Sequence, residues 1–262
     1  VTAIHCKSAD ELALMREAGR IVAIAHQQLR QALRPGVTTA QLNSLVERVL
    51  RDHGAEPVFL GYPRAGAPDF PASICASVNE QLVHGIPGPR ALREGDILSV
   101  DIGARYRGFV GDAAWTYAIG EVPAAVQRLL AVSEEALWVG IRAAALPAWT
   151  KDIALAIQRF VERQGYSVAR EYSGHGVGRH MHEEPQVPNW WPRSRRRRQG
   201  WVSHRLRPGM TLALEPMVIS GRAETEELAD QWTVVTRDGS LCTHFEHSIA
   251  ITEGAPCVLT LP

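Results

Sequence analysis

Four acidic residues stand among apolar neighbours, where freely solvated carboxylates are not expected. Asp101 follows Ile97-Leu-Ser-Val100, Glu215 follows Thr211-Leu-Ala-Leu214, Asp112 sits in the segment GDAAWTYAI, and Glu246 lies just before Ser248-Ile-Ala-Ile251. A carboxylate ending an apolar strand is costly to bury unless it is paired or coordinates something. Converging carboxylates also repel one another, and they must take up protons unless cations hold them. Two divalent ions would neutralise the four charges. The stretch YSGHGVGRHMHEEP, from Tyr172 to Pro185, adds three histidines and three glycines within fourteen residues. One imidazole from this glycine-rich loop would complete a mixed oxygen and nitrogen donor set, suited to Mn, Co, Fe or Zn rather than to a thiolate-selective site. Two such ions about 3.5–4 Å apart can share a bridging water, lower its pKa and polarise a carbonyl. The chemistry implied is metal-assisted hydrolysis.

The elements that must position these residues come in two matching rounds. Ser8, with Glu11 three residues on, caps a helix predicted over residues 10–33 that stops at Arg34-Pro-Gly36. Thr38 and Gln41 form a second capping box, opening a helix that carries Leu42, Leu45, Val46, Val49 and Leu50 and ends near Gly54. Strands are predicted over residues 73–78, 97–102 and 108–119. The order then recurs, with helices over about 123–145 and 150–164 and strands over 211–219, 231–236 and 246–252. One pair of segments makes the echo concrete: LREGDILSVD ends at Asp101, and LRPGMTLALE ends at Glu215. Upstream of each lies a His-x-x-Pro, His84-Gly-Ile-Pro87 and His182-Glu-Glu-Pro185, and downstream of each another acid opens a strand, Asp112 or Glu246. The pattern reads as a duplicated helix-helix-sheet unit whose halves face each other across a shared site.

Composition limits the alternatives. A chain of 262 residues can bury a substantial core as one continuous unit. Its 28 basic and 28 acidic residues leave no global field to draw nucleic acid. The four cysteines, Cys6, Cys75, Cys242 and Cys257, are scattered with no Cys-x-x-Cys pair, which argues against a zinc knuckle and a disulfide framework. No apolar run approaches the roughly 18 residues of a membrane span, and the first residues, VTAIHCK, lack the apolar core of a signal peptide. The expectation is a cytoplasmic protein.

Together, Gly174-His-Gly-Val-Gly-Arg179, His182-Glu-Glu-Pro185, Leu214-Glu-Pro-Met217, Asp101, Gly111-Asp112 and Phe245-Glu-His247 resemble the type I methionine aminopeptidases, compact members of the pita-bread metallohydrolases. The resemblance runs from about residue 8 to 260, with the ligand types in the family's order and an eleven-residue step between the two aspartates. It implies an α+β, pseudo-twofold pita-bread fold in a single domain over residues 1–262, with repeats of about 8–120 and 121–260. It also implies that Asp101, Asp112, His175, Glu215 and Glu246 hold two divalent ions, with Asp112 and Glu246 touching one or both and Asp101 chelating one. His84 and His182 would stand beside the metals, the latter binding the scissile carbonyl oxygen. Glu215 would also carry a proton from the bridging water, which attacks the carbonyl, to the leaving amine. Tyr62, Phe70, Cys75 and Trp232 would wall the methionine pocket, where soft and aromatic surfaces suit a thioether. Met181 stands where many members carry an aromatic residue, and His180 is left without a role.

The implied function is removal of the initiator methionine from nascent chains whose second residue is small. Two other readings share the fold. A proline-directed aminopeptidase has the same five ligands but usually an extra amino-terminal domain, and a non-catalytic ribosome-binding module would be expected to have lost ligands. Residues 188–205 form a longer, more basic connection than the family's, with three tryptophans interleaved with Arg193 and the run Arg195 to Arg198. Charge and stacking would dock them on ribosomal RNA; the alternative is a plain solvated loop. Residues 63–69 are a second, Pro- and Gly-rich expansion beside the pocket wall. A monomer is expected.

Overall fold

The computed structural model describes residues 3–192 and 200–262. The arginine run proposed for RNA docking lies outside the described residues.

Both capping boxes form. Ser8 accepts from Glu11 N ahead of α1 (Ala9–Ala32), and Thr38 accepts from Gln41 N ahead of α2 (Thr39–Asp52). Each such cap is worth about 1 kcal/mol. There follow β1 (Glu56–Pro57), β2 (Cys75–Val78), β3 (Gln81–Val83), β4 (Ile97–Tyr106) and β5 (Phe109–Ala118). A second helix pair, α3 (Ala124–Ala143) and α4 (Thr150–Arg163), precedes β6 (Ser167–Val168), β7 (Ser173–Gly176), β8 (Glu183–Pro188), β9 (Thr211–Leu214) and β10 (Met217–Ile219). The chain closes with β11 (Thr225–Glu227), β12 (Val234–Thr236), β13 (Cys242–His244), β14 (His247–Ala250) and β15 (Cys257–Val258). The helices fall within a residue or two of their expected bounds.

In the first half, β5 pairs along the whole of β4, and β1 and β2 share its other edge. The second half builds a sheet in the order β15-β14-β9-β7-β8. Alternation along these strands separates core from site. Val100 and Ile102 join Ile21, Leu29, Val46 and Leu50 in a core beneath α1 and α2, which turns Asp101 between them to the opposite face. Leu212 and Leu214 do the same with Leu129, Leu137, Ile153 and Ile157 beneath α3 and α4. Each helix pair thus covers the back of a sheet; the front of the first carries Asp101, and that of the second carries His175, with Glu215 just past the end of β9. Helix α1 lies so close to β5 that a Cβ on Gly111, the residue before Asp112, would stand 2.4 Å from the Gly19 backbone nitrogen.

Several expectations need correction. The strand predicted over 211–219 is two strands in different sheets, because Pro216 has no N–H to continue a ladder and the chain steps from one sheet to the next there. Glu215 sits on that step. Asp101 and Asp112 neither end nor open strands; they are internal to β4 and β5, paired with Ala114 and Gly103 respectively. The glycine-rich loop around His175 is strand β7, held between β8 and β9. No helix among the described residues is long and apolar enough to cross a membrane.

Candidate metal centre

Hydroxyl and backbone hydrogen bonds join β5 of the first half to the segment around β13 and β14 of the second. Glu246 N donates to Ala114 O at 2.8 Å, and Ala114 is opposite Asp101 in the β4–β5 ladder. The Ser248 hydroxyl accepts from Asp112 N at 3.1 Å and donates to Asp112 O at 2.9 Å. The Thr116 hydroxyl bonds both backbone groups of His244. Asp101, Asp112 and Glu246 are thereby brought to one place from two sheets.

His175 reaches them from β7. A Cβ on Gly174 would lie 2.4 Å from Ala213 O, and one on Gly176 would lie 2.3 Å from Glu184 O, so only glycine lets β8 and β9 close on both sides of the histidine. These glycines serve close approach rather than a turn. His175 Nδ1 donates to Gly176 O at 2.9 Å, which aims Nε2 at the acids, 3.7 Å from Asp112 Oδ2 and 3.5 Å from Glu215 Oε1. Donor atoms of Asp112, His175 and Glu246 all lie within 4.8 Å of one another. Asn189 Nδ2 donates to Glu215 O at 2.9 Å and fixes the backbone at the step.

Burial sets the electrostatics. Desolvation, followed by the neighbouring Asp112 charge, holds Asp101 well above the usual carboxylate range, and Glu215 and Glu246 are raised in the same way, chiefly by burial. Asp112 is pushed up to about 8 by burial. His175 is lowered to about 3, first by burial and then by the imidazole of His182, so it is neutral and free to coordinate. Asp101 Oδ1, Asp112 Oδ1 and Glu246 Oε1 are buried without a hydrogen-bond partner. Orphaned carboxylate oxygens around an imidazole nitrogen, at separations too long for hydrogen bonds, fit a set of donors arranged to surround cations about 2.0–2.2 Å from each.

These acids form the floor of a cavity of about 330 Å³ that Tyr62, Phe70, Cys75 and Trp232 also line, together with His84, His182 and Met181. Phe70 meets Trp232 edge-on at 5.1 Å, and Trp232 Nε1 donates to Pro68 O at 2.8 Å. Residues 63–69 therefore lie against the pocket, where Arg64 pairs with Glu227 at 2.6 Å and stacks over Trp232 at 5.5 Å. His84 occupies a left-handed backbone position, φ 59°, edge-on to Tyr172 and Trp232, and burial lowers it to about 4. His182 Nδ1 lies 2.6 Å from the Tyr62 hydroxyl, and its ring is 4.4 Å from that of His175. His175 and His182 also face a second groove of about 610 Å³ that includes His5, Arg179, His180 and Glu184. His180 itself is exposed.

One pairing and one residue of the site were missed from sequence. The Tyr62 to His182 bond joins residues 120 apart and leaves no local signal. His244 lines the cavity with Nε2 3.5 Å from Glu215 Oε2; the signal was there in His244-Phe-Glu246, an imidazole two residues before one of the acids.

Buried carboxylates and an imidazole at the meeting of two duplicated helix-backed sheets define a class, the pita-bread metallohydrolases. The sequence pattern of Metallopeptidase family M24 matches residues 13–253. Methionine aminopeptidase 1 of Bacillus subtilis is 49% identical over 257 residues, 98% of this chain and 99% of that protein. The crystal structure of methionine aminopeptidase from Thermotoga maritima is similar with a TM-score of 0.92 at 40% identity, covering 99% of this chain and 100% of that one. Prolidase from Pyrococcus furiosus shares the fold at 20% identity, with a TM-score of 0.78 over 98% of this chain and 65% of that one. The chain belongs to metallopeptidase family M24, in its methionine aminopeptidase branch.

Proposed function

We infer that the protein is a metal-dependent aminopeptidase that removes the initiator methionine from nascent polypeptides whose second residue is small. The observation that carries this reading is the cavity itself, whose floor holds Asp101, Asp112, His175, Glu215 and Glu246 and whose walls are aromatic and sulfur-containing. Those five side chains would hold two divalent cations, and the Co, Mn, Fe or Zn class follows from the mixed donor set. Such ions supply an activated water and a polarised carbonyl.

The chain's own residues do the rest. Phe70, Cys75, Met181 and Trp232 receive the thioether side chain. The acids hold the free α-amino group beside the metals and so restrict cleavage to the first peptide bond. The second groove, beyond His175 and His182, gives the remaining polypeptide a path away. Glu215 takes the proton from the attacking water and passes it to the leaving amine. With the Tyr62 hydroxyl donating to Nδ1, the proton of His182 resides on Nε2, from which it donates to the carbonyl oxygen as negative charge develops. His84, neutral near pH 7 and lining the same cavity, makes a second such contact.

Hydrolysis of Met-Ala-Ser compared with Ala-Pro peptides, with and without a chelator, tests this. Release of methionine that is abolished by chelation and restored by Co²⁺ or Mn²⁺ is expected. Preference for the prolyl peptide points to the proline-directed relatives, and no turnover with any divalent metal points to a binding module. A cytoplasmic setting close to ribosomes matches such a substrate. Contact with ribosomal RNA through Arg193 and Arg195 to Arg198 is tested by co-sedimentation of a variant with Arg195 to Arg198 changed to Ser; unchanged, salt-resistant association rules it out.

A further inference from the structure

The cavity floor holds one imidazole more than the five-ligand pattern calls for. His244 ends β13, and its backbone is fixed on both sides, its N–H donating to Thr116 Oγ1 at 2.9 Å and its carbonyl accepting from the same hydroxyl at 2.9 Å. The residue is 3% exposed, and Nε2 is buried without a hydrogen-bond partner. That nitrogen lies 3.5 Å from Glu215 Oε2 and 4.0 Å from Glu246 Oε2. The other oxygen of Glu215, Oε1, lies 3.5 Å from Nε2 of His175. One carboxylate is therefore bracketed by two imidazoles, one at each oxygen. His175 belongs to the close group of donors with Asp112 and Glu246; His244 stands outside it, as do Asp101 and Glu215.

We propose that His244 is a positioning residue for Glu215: its Nε2, which lies 3.5 Å from Oε2 with no other partner, is aimed to donate to that oxygen once the carboxylate is ionised, which leaves Oε1 turned toward His175. This rests on the proton-carrying role assigned to Glu215 above. A glutamate that both binds a cation and moves a proton must present one chosen oxygen to each partner. A three-bond side chain at the step before Pro216 does not fix that choice by itself. A donor on the far oxygen does, because rotation of the carboxylate would break the bond and strand a buried N–H at a cost of about 1–3 kcal/mol.

The experiment uses the full chain loaded with Co²⁺ and two substitutions, His244→Ala and His244→Gln; the glutamine keeps an N–H donor of similar reach. Turnover of Met-Ala-Ser, Co²⁺ affinity by calorimetry and the visible Co²⁺ spectrum are measured on each. The expected result is a fall in kcat of about 10–100-fold for the alanine variant, with KM, Co²⁺ affinity and spectrum unchanged, and recovery of most of that loss by glutamine. Wild-type kcat in the alanine variant overturns the proposal. So does loss of Co²⁺ affinity with an altered spectrum in both variants, which makes His244 a sixth ligand. An unaltered chain without turnover counts against the aminopeptidase reading instead. The zinc-loaded protein then still reads the bond by NMR: a slowly exchanging Nε2 proton on His244 that is lost in Glu215→Ala supports it, and an unprotonated Nε2 overturns it.

Discussion

Tyr62 and His182 show how one hydrogen bond can decide what a side chain does. Burial keeps His182 neutral and the Tyr62 phenol protonated near pH 7, so either partner can donate across the 2.6 Å contact; the role proposed for His182 needs the phenol to donate to Nδ1, which leaves the imidazole proton on Nε2. Removing the imidazole deletes a donor needed only as charge develops on the carbonyl oxygen. His182→Ala is expected to lower kcat by about 10²–10³-fold, with little change in metal content. Tyr62→Phe leaves the donor in place but frees it to take the other tautomer, and a smaller loss of about 10-fold in kcat is expected, with KM near the unaltered value. Steady-state kinetics on Met-Ala-Ser separates the two. Equal losses from both variants would mean that the tyrosine, not the histidine, makes the contact.

At the scale of elements, β7 shows what the sequence could and could not announce. The helices were legible because their capping boxes and apolar spacing are local properties, and the converging acids were legible because strand alternation turns Asp101 and Glu215 away from the aliphatic residues beside them. Ser173-Gly-His-Gly176 has little strand propensity of its own; it is a strand because β8 and β9 close on it, a tertiary cause that no window of sequence contains. His244 had a local signal, two residues before Glu246, but it stands outside the five-ligand pattern on which the resemblance rests. The tight fit of β7 has a measurable consequence. Gly174→Ala places a methyl against the Ala213 carbonyl, and Gly176→Ala places one against Glu184, neither of which is a side chain that can swing away. Each is expected to cost about 1–3 kcal/mol in urea denaturation and to lower metal stoichiometry, because the strand that moves carries His175. Gly165→Ala is the control. That glycine follows α4 at φ +84° with open space around it, so alanine there costs about 1 kcal/mol and leaves metal binding alone.

Over the whole molecule, the site and the buried histidines pull stability in opposite directions with pH. His26 and His247, both lowered to about 4 by burial, are neutral in the folded chain below the pH at which they would charge when unfolded. The unfolded state binds more protons in that window, so their contribution is lost as pH falls from about 6.5 to 4. Asp112 has the opposite sign. Its carboxyl is raised to about 8, so the metal-free fold holds a proton that the unfolded chain has released, and this stabilisation is lost as pH rises from its ordinary value near 4 to about 8. Asp101, Glu215 and Glu246 are raised as well and add to the same slope. Below pH 6.5 the two groups oppose each other in the metal-free protein; between 6.5 and 8 the carboxyls act alone. Bound cations replace those protons, so the loaded protein escapes the loss and its affinity for metal rises with pH. Chelated and Co²⁺-loaded samples, compared by urea denaturation at pH 6.5, 7.25 and 8, are therefore expected to diverge, by about 1.4 kcal/mol per pH unit for each proton displaced. Replacing Asp112 with Asn should flatten that divergence, because its share of the protons is gone. A gap between loaded and chelated protein that stays constant across this range would mean that the carboxyls of the metal-free site are already ionised at pH 6.5, and that something other than protons holds their charges apart.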